Sequence, residues 1–324
     1  MILKELTDTA IEALVIPSFT RIGYDLRRWM FDWEPLDRFS MSGRVAAVTG
    51  ATSGLGEFTA VALARLGAEV LLLARNERKA IATRERIKLA SGNDEVRIYL
   101  VDMSDIQAVR RAVAEIRRSE SRLDVLINNA GSLMSKRETS VDGYEMTFAT
   151  MVLGPFVLTQ ELMPLLAESR DGRVIAVTSG GMYAQRLHLD DLQMEDEPYR
   201  GSVAYARAKR GQVALTRVWA RKHRGTSVVF NAMHPGWAQT PGLEASLPRF
   251  RRMIGPLVRS PEQGVDTIVW LAAAPEGSKS NGQLWLDRRP RSFDKLPGTR
   301  VSSGEAAQLW EACERLASGA GEQG

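Results

Sequence analysis

Of the six tyrosines in this 324-residue chain, Tyr205 alone has a lysine four positions on, at Lys209. On a helix that spacing places both side chains on one face. A phenol ordinarily titrates near about 10 and is a poor acid or base at neutral pH. An adjacent ammonium favours the phenolate and moves the group towards the working range. A tyrosine so placed can hand a proton to a carbonyl oxygen or take one from an alcohol. The same spacing also arises by chance on solvated helix faces, so the pair needs company.

Company comes from Thr49-Gly50-Ala51-Thr52-Ser53-Gly54-Leu55-Gly56, lying between an apolar strand-like run and a helical pattern. Gly50 permits a tight turn, Gly54 lets backbone approach a pyrophosphate, and Gly56 allows close packing of helix on strand. The helix N-terminus then offers unpaired N–H groups and a positive dipole end to phosphate. Glycines in this context point to a dinucleotide. The next strand-like run ends Ala74-Arg75-Asn76. An acid there would bind a ribose 2′-hydroxyl, whereas an arginine accommodates a 2′-phosphate. NADP(H) is therefore favoured over NAD(H), the alternative being that Arg75 is a solvated loop charge.

Both features require a sheet that delivers them to one edge. Strands are expected over Val45–Thr49, Glu69–Ala74, Val96–Leu100, Val125–Asn128, Val174–Thr178, Val228–Met233 and Gln283–Leu286. Helical patterns over 55–66, 76–89, 105–119, 145–167, 203–222 and 262–273 alternate with them. Runs such as Val70-Leu71-Leu72-Leu73 suit strands buried on both faces. The expected fold is α/β, a doubly wound, mostly parallel, seven-stranded sheet flanked by helices, with ligands at the strands' carboxyl ends. Three parts are expected: an arm over 1–43, a dinucleotide-binding and catalytic domain over 44–300, and a helix and tail over 301–324.

Composition is that of a globular chain, 44% hydrophobic and 25% charged, with net charge +4 and no concentrated basic stripe of the kind nucleic acid requires. Cys313 is the single cysteine, which excludes an internal disulfide and suits a reducing, cytoplasmic compartment. His188, His223 and His234 are scattered, so no metal site is expected. No run of 18 apolar residues occurs, so no transmembrane helix is expected. In the arm, Phe19, Ile22, Leu26, Trp29, Met30 and Trp33 recur at helical spacing, with Arg21, Asp25, Arg28 and Asp32 mainly opposite. Packing of residues 19–33 on the chain's own domain or a partner subunit is the first expectation, and peripheral contact with a membrane surface is the alternative.

The TGxxxGxG spacing, the Asn128-Asn129-Ala130-Gly131 turn and the Tyr205/Lys209 pair together resemble the short-chain dehydrogenase/reductase superfamily. The long stretch between Ser179 and Tyr205 is similar to the retinol-dehydrogenase-like branch. The resemblance implies an NADP(H)-dependent oxidoreductase interconverting an apolar carbonyl (a retinoid-, steroid- or lipid-like aldehyde or ketone) and its alcohol. It implies that Ser179 hydrogen-bonds the reacting oxygen, that Tyr205 is the acid/base and that Lys209 supports it. Ser179 read by itself is a strand-end serine capping the next turn. It also implies cofactor contacts from Thr52, Ser53, Leu55, Asn76, Asp102 at the adenine, its neighbour Met103, and Asn129, Ala130 and Gly131 under the ribose. Pro235, Gly236 and Thr240 are implied at the nicotinamide amide, and a homo-oligomer through helices four and five is implied as well. The loop from Pro241 to Pro256 reads either as a lid or as a surface helix with a basic face. One departure stands out: the family keeps an asparagine on helix four, whose backbone and bound water link the lysine to solvent, and here the register places Met151 there. The alternative reading is therefore a catalytically weak NADP-binding sensor or partner subunit.

Overall fold

The computed structural model describes residues 2–239 and 255–319. Thr240 and all but the last two residues of the loop from Pro241 to Pro256 lie outside the described residues. The sheet has eight strands: β1 (Val45–Thr49), β2 (Glu69–Ala74), β3 (Val96–Leu100), β4 (Val125–Asn128), β5 (Gly172–Val177), β6 (Val228–Met233), β7 (Leu284–Leu286) and β8 (Arg289–Arg291). Their order is β3-β2-β1-β4-β5-β6-β7-β8. All neighbours pair parallel except β7 and β8. The winding reverses between β1 and β4, paired in register Ala47↔Leu126, which is the point at which doubly wound sheets form a ligand crevice at the strands' carboxyl ends.

The eighth strand corrects the expectation of seven. Asp287 and Arg288 both adopt left-handed backbone (φ 55° and 53°) and fold the chain back as a two-residue hairpin. Neither is glycine or asparagine, and Pro290 interrupts the run, so no local pattern announces it. Tertiary charge holds the turn instead. The Asp287 carboxylate accepts bonds from Arg27 (2.7 Å) and Arg259 (2.6 Å), and Arg288 donates to Asp266 (2.7 Å).

Helices cover both faces, eleven of them among the described residues: α1 (Ile2–Ala13), α2 (Val15–Phe19), α3 (Arg21–Met30), α4 (Gly54–Arg65), α5 (Glu77–Ser91), α6 (Ile106–Ser119), α7 (Met146–Ala167), α8 (Gly201–Lys222), α9 (Pro261–Ala273), α10 (Pro275–Lys279) and α11 (Ser303–Gly319). One core lies between the sheet and α6, α7, α8 and α11; a second lies between the sheet and α4 and α9. α7 is long and apolar enough to cross a membrane by length and composition, yet 72% of that window is buried inside the protein.

Within α7, Ala149–Leu153 form a π turn. Pro155 has no N–H to return to the Met151 carbonyl four residues back, so the ladder cannot run on as a regular α-helix. The freed carbonyl accepts a bond from the Gln212 side chain on α8 at 2.8 Å. Gly154 lies so close to the Met103 carbonyl that a Cβ would stand 2.0 Å from it.

The arm folds as α1–α3 and docks through a buried ion network. The Arg27 guanidinium, fully buried, donates to Asp8 at 2.7 Å and Asp287 at 2.7 Å, and Arg291 donates to Asp8 at 2.7 Å. Such a network adds little net stability, but removing one partner strands the others and costs about 3–5 kcal/mol. The stripe over 19–33 is thus divided rather than lying on one face. Phe19 and Met30 are buried, while Ile22 and Trp29 face outward. At the far end α11 packs on α8, with Trp310 edge-on to Phe156 and Trp219.

Candidate active site

The glycine turn closes β1 onto α4. Gly50 and Gly54 take left-handed backbone (φ 64° and 55°). A Cβ on Gly56 would stand 2.3 Å from the Gly50 carbonyl, so only glycine lets α4 start this close to the turn. Ser53 occupies the N-cap position without making a side-chain cap bond, so the first-turn N–H groups of α4, next to Thr52 and Leu55, lack that partner. Asn129 on the neighbouring turn donates its amide to the Thr49 carbonyl (2.9 Å), while Thr49 Oγ1 accepts from the N–H groups of Asn129 and Ala130 (2.9 Å each). These bonds tie the end of β4 to the end of β1 and set Gly131 at the crevice floor.

Tyr205 and Lys209 project from α8 beneath the end of β5. The Lys209 ammonium lies 5.5 Å from the Tyr205 ring centre and donates to the Val177 carbonyl at 2.7 Å. Thr178 Oγ1 donates to the Lys209 carbonyl at 2.9 Å, pinning helix to strand. Burial pulls the Lys209 ammonium down to about 7, since little water remains to solvate the charge. Burial pushes the Tyr205 phenol up, and the hydrogen bond with the Ser179 side chain opposes that rise. Ser179 also accepts a bond from the Gly181 N–H at 3.3 Å, so its capping role and its contact with Tyr205 coexist. Ser179, Tyr205 and Lys209 therefore converge, and a carbonyl oxygen reaching the Ser179 and Tyr205 hydroxyls would sit directly above the crevice floor.

The short chain dehydrogenase family profile matches residues 44–249 of this chain. The chain is a short-chain dehydrogenase/reductase. It is 40% identical over 303 residues to human dehydrogenase/reductase SDR family member 12, covering 93% of this chain and 94% of that protein. Human retinol dehydrogenase 14 is 33% identical over 293 residues, covering 85% of this chain and 86% of its own length. A crystal structure of an uncharacterized protein from Mycobacterium paratuberculosis superposes with a TM-score of 0.71 at 27% identity, over 88% of this chain and 97% of the other. As a member of this family the chain is an oxidoreductase of the carbonyl–alcohol couple, and its fold takes a nicotinamide cofactor.

The donor set of this short-chain dehydrogenase/reductase fits such a cofactor, since the start of α4 has no side-chain cap and its N–H groups are of the kind that receive a phosphate. Arg75, 74% exposed at its side chain, stands 3.6 Å from Asp102 at the ends of β2 and β3. Asp102 is held by Ser104, whose backbone N–H and hydroxyl donate to it at 2.9 and 2.7 Å. Met103 is buried beside it. Asn76 spends its side chain on capping α5, accepting from the Lys79 N–H at 2.9 Å. Pro235 and Gly236 follow β6, and Gly236 (φ 69°) is wedged where a Cβ would strike the Arg259 guanidinium and the Phe19 carbonyl at 2.6 Å.

Three contributors to the site carry no sequence motif. Phe19 of the arm lies against the turn after β5, since a Cβ on Gly180, next to Ser179, would stand 2.4 Å from its ring. Its carbonyl accepts from the Trp237 N–H at 2.7 Å. Arg259 donates to the carbonyls of Ser18 (2.8 Å), Thr20 (3.2 Å) and Pro235 (3.2 Å), bracing the segment after β6 against the arm. The third is Gln212. Met151, fully buried, brings its sulfur so near Gly131 that a Cβ there would lie 2.8 Å from Sδ and 3.6 Å from the Lys209 ammonium. Met151 is thus both a core residue and a wall of the site. The spacing Met151-x-x-x-Pro155 frees one helical carbonyl, but nothing in the sequence says that Gln212 is the donor that meets it.

Proposed function

We propose that this protein interconverts an apolar aldehyde or ketone and its alcohol with NADP(H), using Tyr205 as the proton donor and acceptor. The observation that carries the reading is the contact of the Tyr205 and Ser179 hydroxyls above the buried Lys209 ammonium. A bound nicotinamide cofactor supplies or accepts the hydride. Ser179 and Tyr205 hold the substrate oxygen by hydrogen bonds, and Tyr205 gives it a proton in the reducing direction. Lys209 keeps positive charge beside the phenol, which favours the phenolate left behind. The apolar substrate class is supported by the likeness to a retinol dehydrogenase. It is tested by NADPH consumption against matched series of short polar and long apolar aldehydes and ketones. The reading expects kcat/KM to rise with apolar chain length, and a flat series would count against it.

Arg75 supports the cofactor choice, because its guanidinium is exposed at the end of β2 where a 2′-phosphate would lie. Arg75→Ala is expected to reduce the NADPH-over-NADH affinity ratio by about tenfold or more, as loss of one charge-assisted pair implies. Cofactor fluorescence titrations measure this, and an unchanged ratio would reassign Arg75 to the solvated surface.

Two further parts of the proposal concern surfaces. Association between copies of the chain would not run through the exposed backs of α7 and α8, because α11 of the same chain covers them with Trp310 and Leu309. Peripheral contact with a membrane is assigned to the outer side of the arm rather than to the whole of 19–33. Of thirteen large hydrophobic side chains exposed among the described residues, seven fall within the first 29 positions, Leu3, Leu6 and Trp29 most strongly. Clustered exposed apolar residues mark an interaction surface, and Trp suits a bilayer boundary.

The second reading, a cofactor-binding sensor, is favoured by one feature, Met151 in place of an amide beside Lys209. It predicts tight NADPH binding without turnover.

A further inference from the structure

The segment that follows β6, from Pro235 to Gln239, is held by three other parts of the chain. The first is α9: a Cβ on its Gly264 would stand 2.6 Å from Ala238 and 2.9 Å from Leu55. The segment and the start of α4 thus pack against the same spot on α9. The second is the stretch just before α9. There the Arg259 N–H donates to the Trp237 carbonyl and the Gln239 N–H donates to the Arg259 carbonyl, each at 2.9 Å. The third is the arm, whose Phe19 carbonyl accepts from the Trp237 N–H at 2.7 Å and whose Phe19 ring stands edge-on to the Trp237 ring at 5.8 Å. Apart from one bridge at Ala238 the segment belongs to no strand or helix, so these contacts, rather than a sheet ladder, fix the path of its backbone.

Arg259 joins the arm to the segment. Its side chain is 1% exposed, and its guanidinium makes five hydrogen bonds. Two go to Asp287, two to the arm carbonyls of Ser18 and Thr20, and one to the Pro235 carbonyl. Every donor that a guanidinium has is spent, and its planar fork fixes angle as well as distance. Gly236 leaves no slack in this joint, because a Cβ there would stand 2.6 Å from both the guanidinium and the Phe19 carbonyl. Arg27 extends the joint into the arm by bonding the same Asp287 carboxylate at 2.7 Å. Among the described residues its other hydrogen bonds go to Asp8, Glu12 and Ser18, none of them in the segment.

We propose that the arm is the outer wall of the nicotinamide half of the cofactor site, and that Arg259 is the positioning residue that couples docking of the arm to binding of the nicotinamide ring. The proposal rests on the reading above in which a nicotinamide cofactor is bound with its ring at Pro235 and Gly236. The adenine half falls to Arg75 and Asp102 at the ends of β2 and β3, across the β1–β4 junction from β6. Loosening the arm should therefore cost the ring its wall and leave the adenine half in place. Such coupling is reciprocal, so the bound ring should also hold the arm more firmly on the domain.

The test uses the full chain and two ligands, NADPH and 2′-phospho-ADP-ribose, which is the same molecule without the nicotinamide ring. Arg259→Lys keeps the charge but loses the fork, whereas Arg27→Met breaks the joint on the arm side without touching the segment. Calorimetric titration of the wild type gives the affinity that the ring adds. Each variant is expected to shrink that advantage about tenfold, in the usual range for couplings between sites, and to leave 2′-phospho-ADP-ribose within about twofold. The second readout is amide hydrogen exchange over α1, α2 and α3. NADPH should slow it in the wild type, 2′-phospho-ADP-ribose should not, and Arg259→Lys should lose the NADPH effect. A merely structural arginine would lower the melting temperature and weaken both ligands alike, or neither, which overturns the proposal. Arm exchange indifferent to NADPH in the wild type overturns it as well. Should Arg27→Met not fold, because its stranded acids destabilise the chain, Arg259→Lys carries both readouts with the same signs. If NADH is the tighter cofactor, NADH and ADP-ribose take the place of the pair with the same expectations, and the cofactor choice alone fails. If the wild type turns over no carbonyl yet the ring's advantage shrinks in the variants, the catalytic reading fails while the coupling stands. If the ring adds no affinity in the wild type, the coupling fails whatever the activity.

Discussion

Tyr205→Phe is expected to lower kcat by roughly 10²–10⁴-fold, the usual contribution of a positioned general acid. The ring keeps its packing on α8 and its place over the Lys209 ammonium, 5.5 Å from the ring centre, so the helix and cofactor crevice should persist. NADPH affinity should accordingly stay within about twofold, and KM should change little, because the hydroxyl matters most as charge develops on the substrate oxygen. Ser179, whose hydrogen bond opposes the upward shift that burial gives the phenol, would lose that partner, and Ser179→Ala should show a smaller fall in the same direction. Steady-state kinetics beside fluorescence titration of NADPH checks this. A variant that loses NADPH binding and turnover together would make Tyr205 a structural residue.

Lys209→Met should do the reverse to stability: it should abolish turnover and make the cofactor-free protein harder to unfold. The sign follows from the proton count. In the unfolded chain the amine keeps its proton to about 10.5, whereas in the fold burial lowers its titration to about 7. Between those values the unfolded state holds the extra proton, so the wild type gains stability as pH rises. Below about 7 both states are charged, and the folded state bears the whole cost of a buried ammonium, on the order of a few kcal/mol. Methionine carries no such charge. Urea midpoints at pH 6.5, 8 and 9.5 should therefore show the variant ahead by most at the lowest pH, with the gap closing as pH rises. A gap that is constant with pH would mean that Lys209 is charged throughout. Such a cost, borne at a position proposed to support the chemistry, is the usual trade between stability and activity.

Much of this site can be read from the chain because its parts are local. β1, β2, β3, β4 and β6 match their sequence boundaries; in β1 and β2 this is because runs buried on both faces are nearly continuous Val, Leu and Ala, whereas β3 at the sheet edge alternates buried and exposed residues. The turn from Thr49 to Gly56 is legible because two left-handed positions and one close approach leave glycine as the only choice. What escapes the sequence is held by distant partners. β8 exists because Asp287 is bonded by Arg27 and Arg259, hundreds of positions apart in the chain from one end of that set to the other. Phe19 reads as one member of an amphipathic stripe, yet it is the contact that seats the arm under Gly180 and Trp237. Helix four reads as one unbroken pattern over 145–167, and the π turn within it follows from Pro155 and from an acceptor that only the folded α8 can satisfy. Asn76 shows the opposite case, a residue implied at the cofactor whose side chain is committed to a helix cap.

The measurement that bears most directly on the account is the fate of the hydride. Wild-type protein and Tyr205→Phe would each be incubated with NADPH deuterated at C4 of the nicotinamide, on each face in turn, and with the best apolar carbonyl from the substrate series. The account predicts one deuterium on the carbinol carbon of the alcohol, from one face only, in the wild type, and almost no alcohol from the variant. Alcohol without deuterium from either face, or equal product from both proteins, would contradict it.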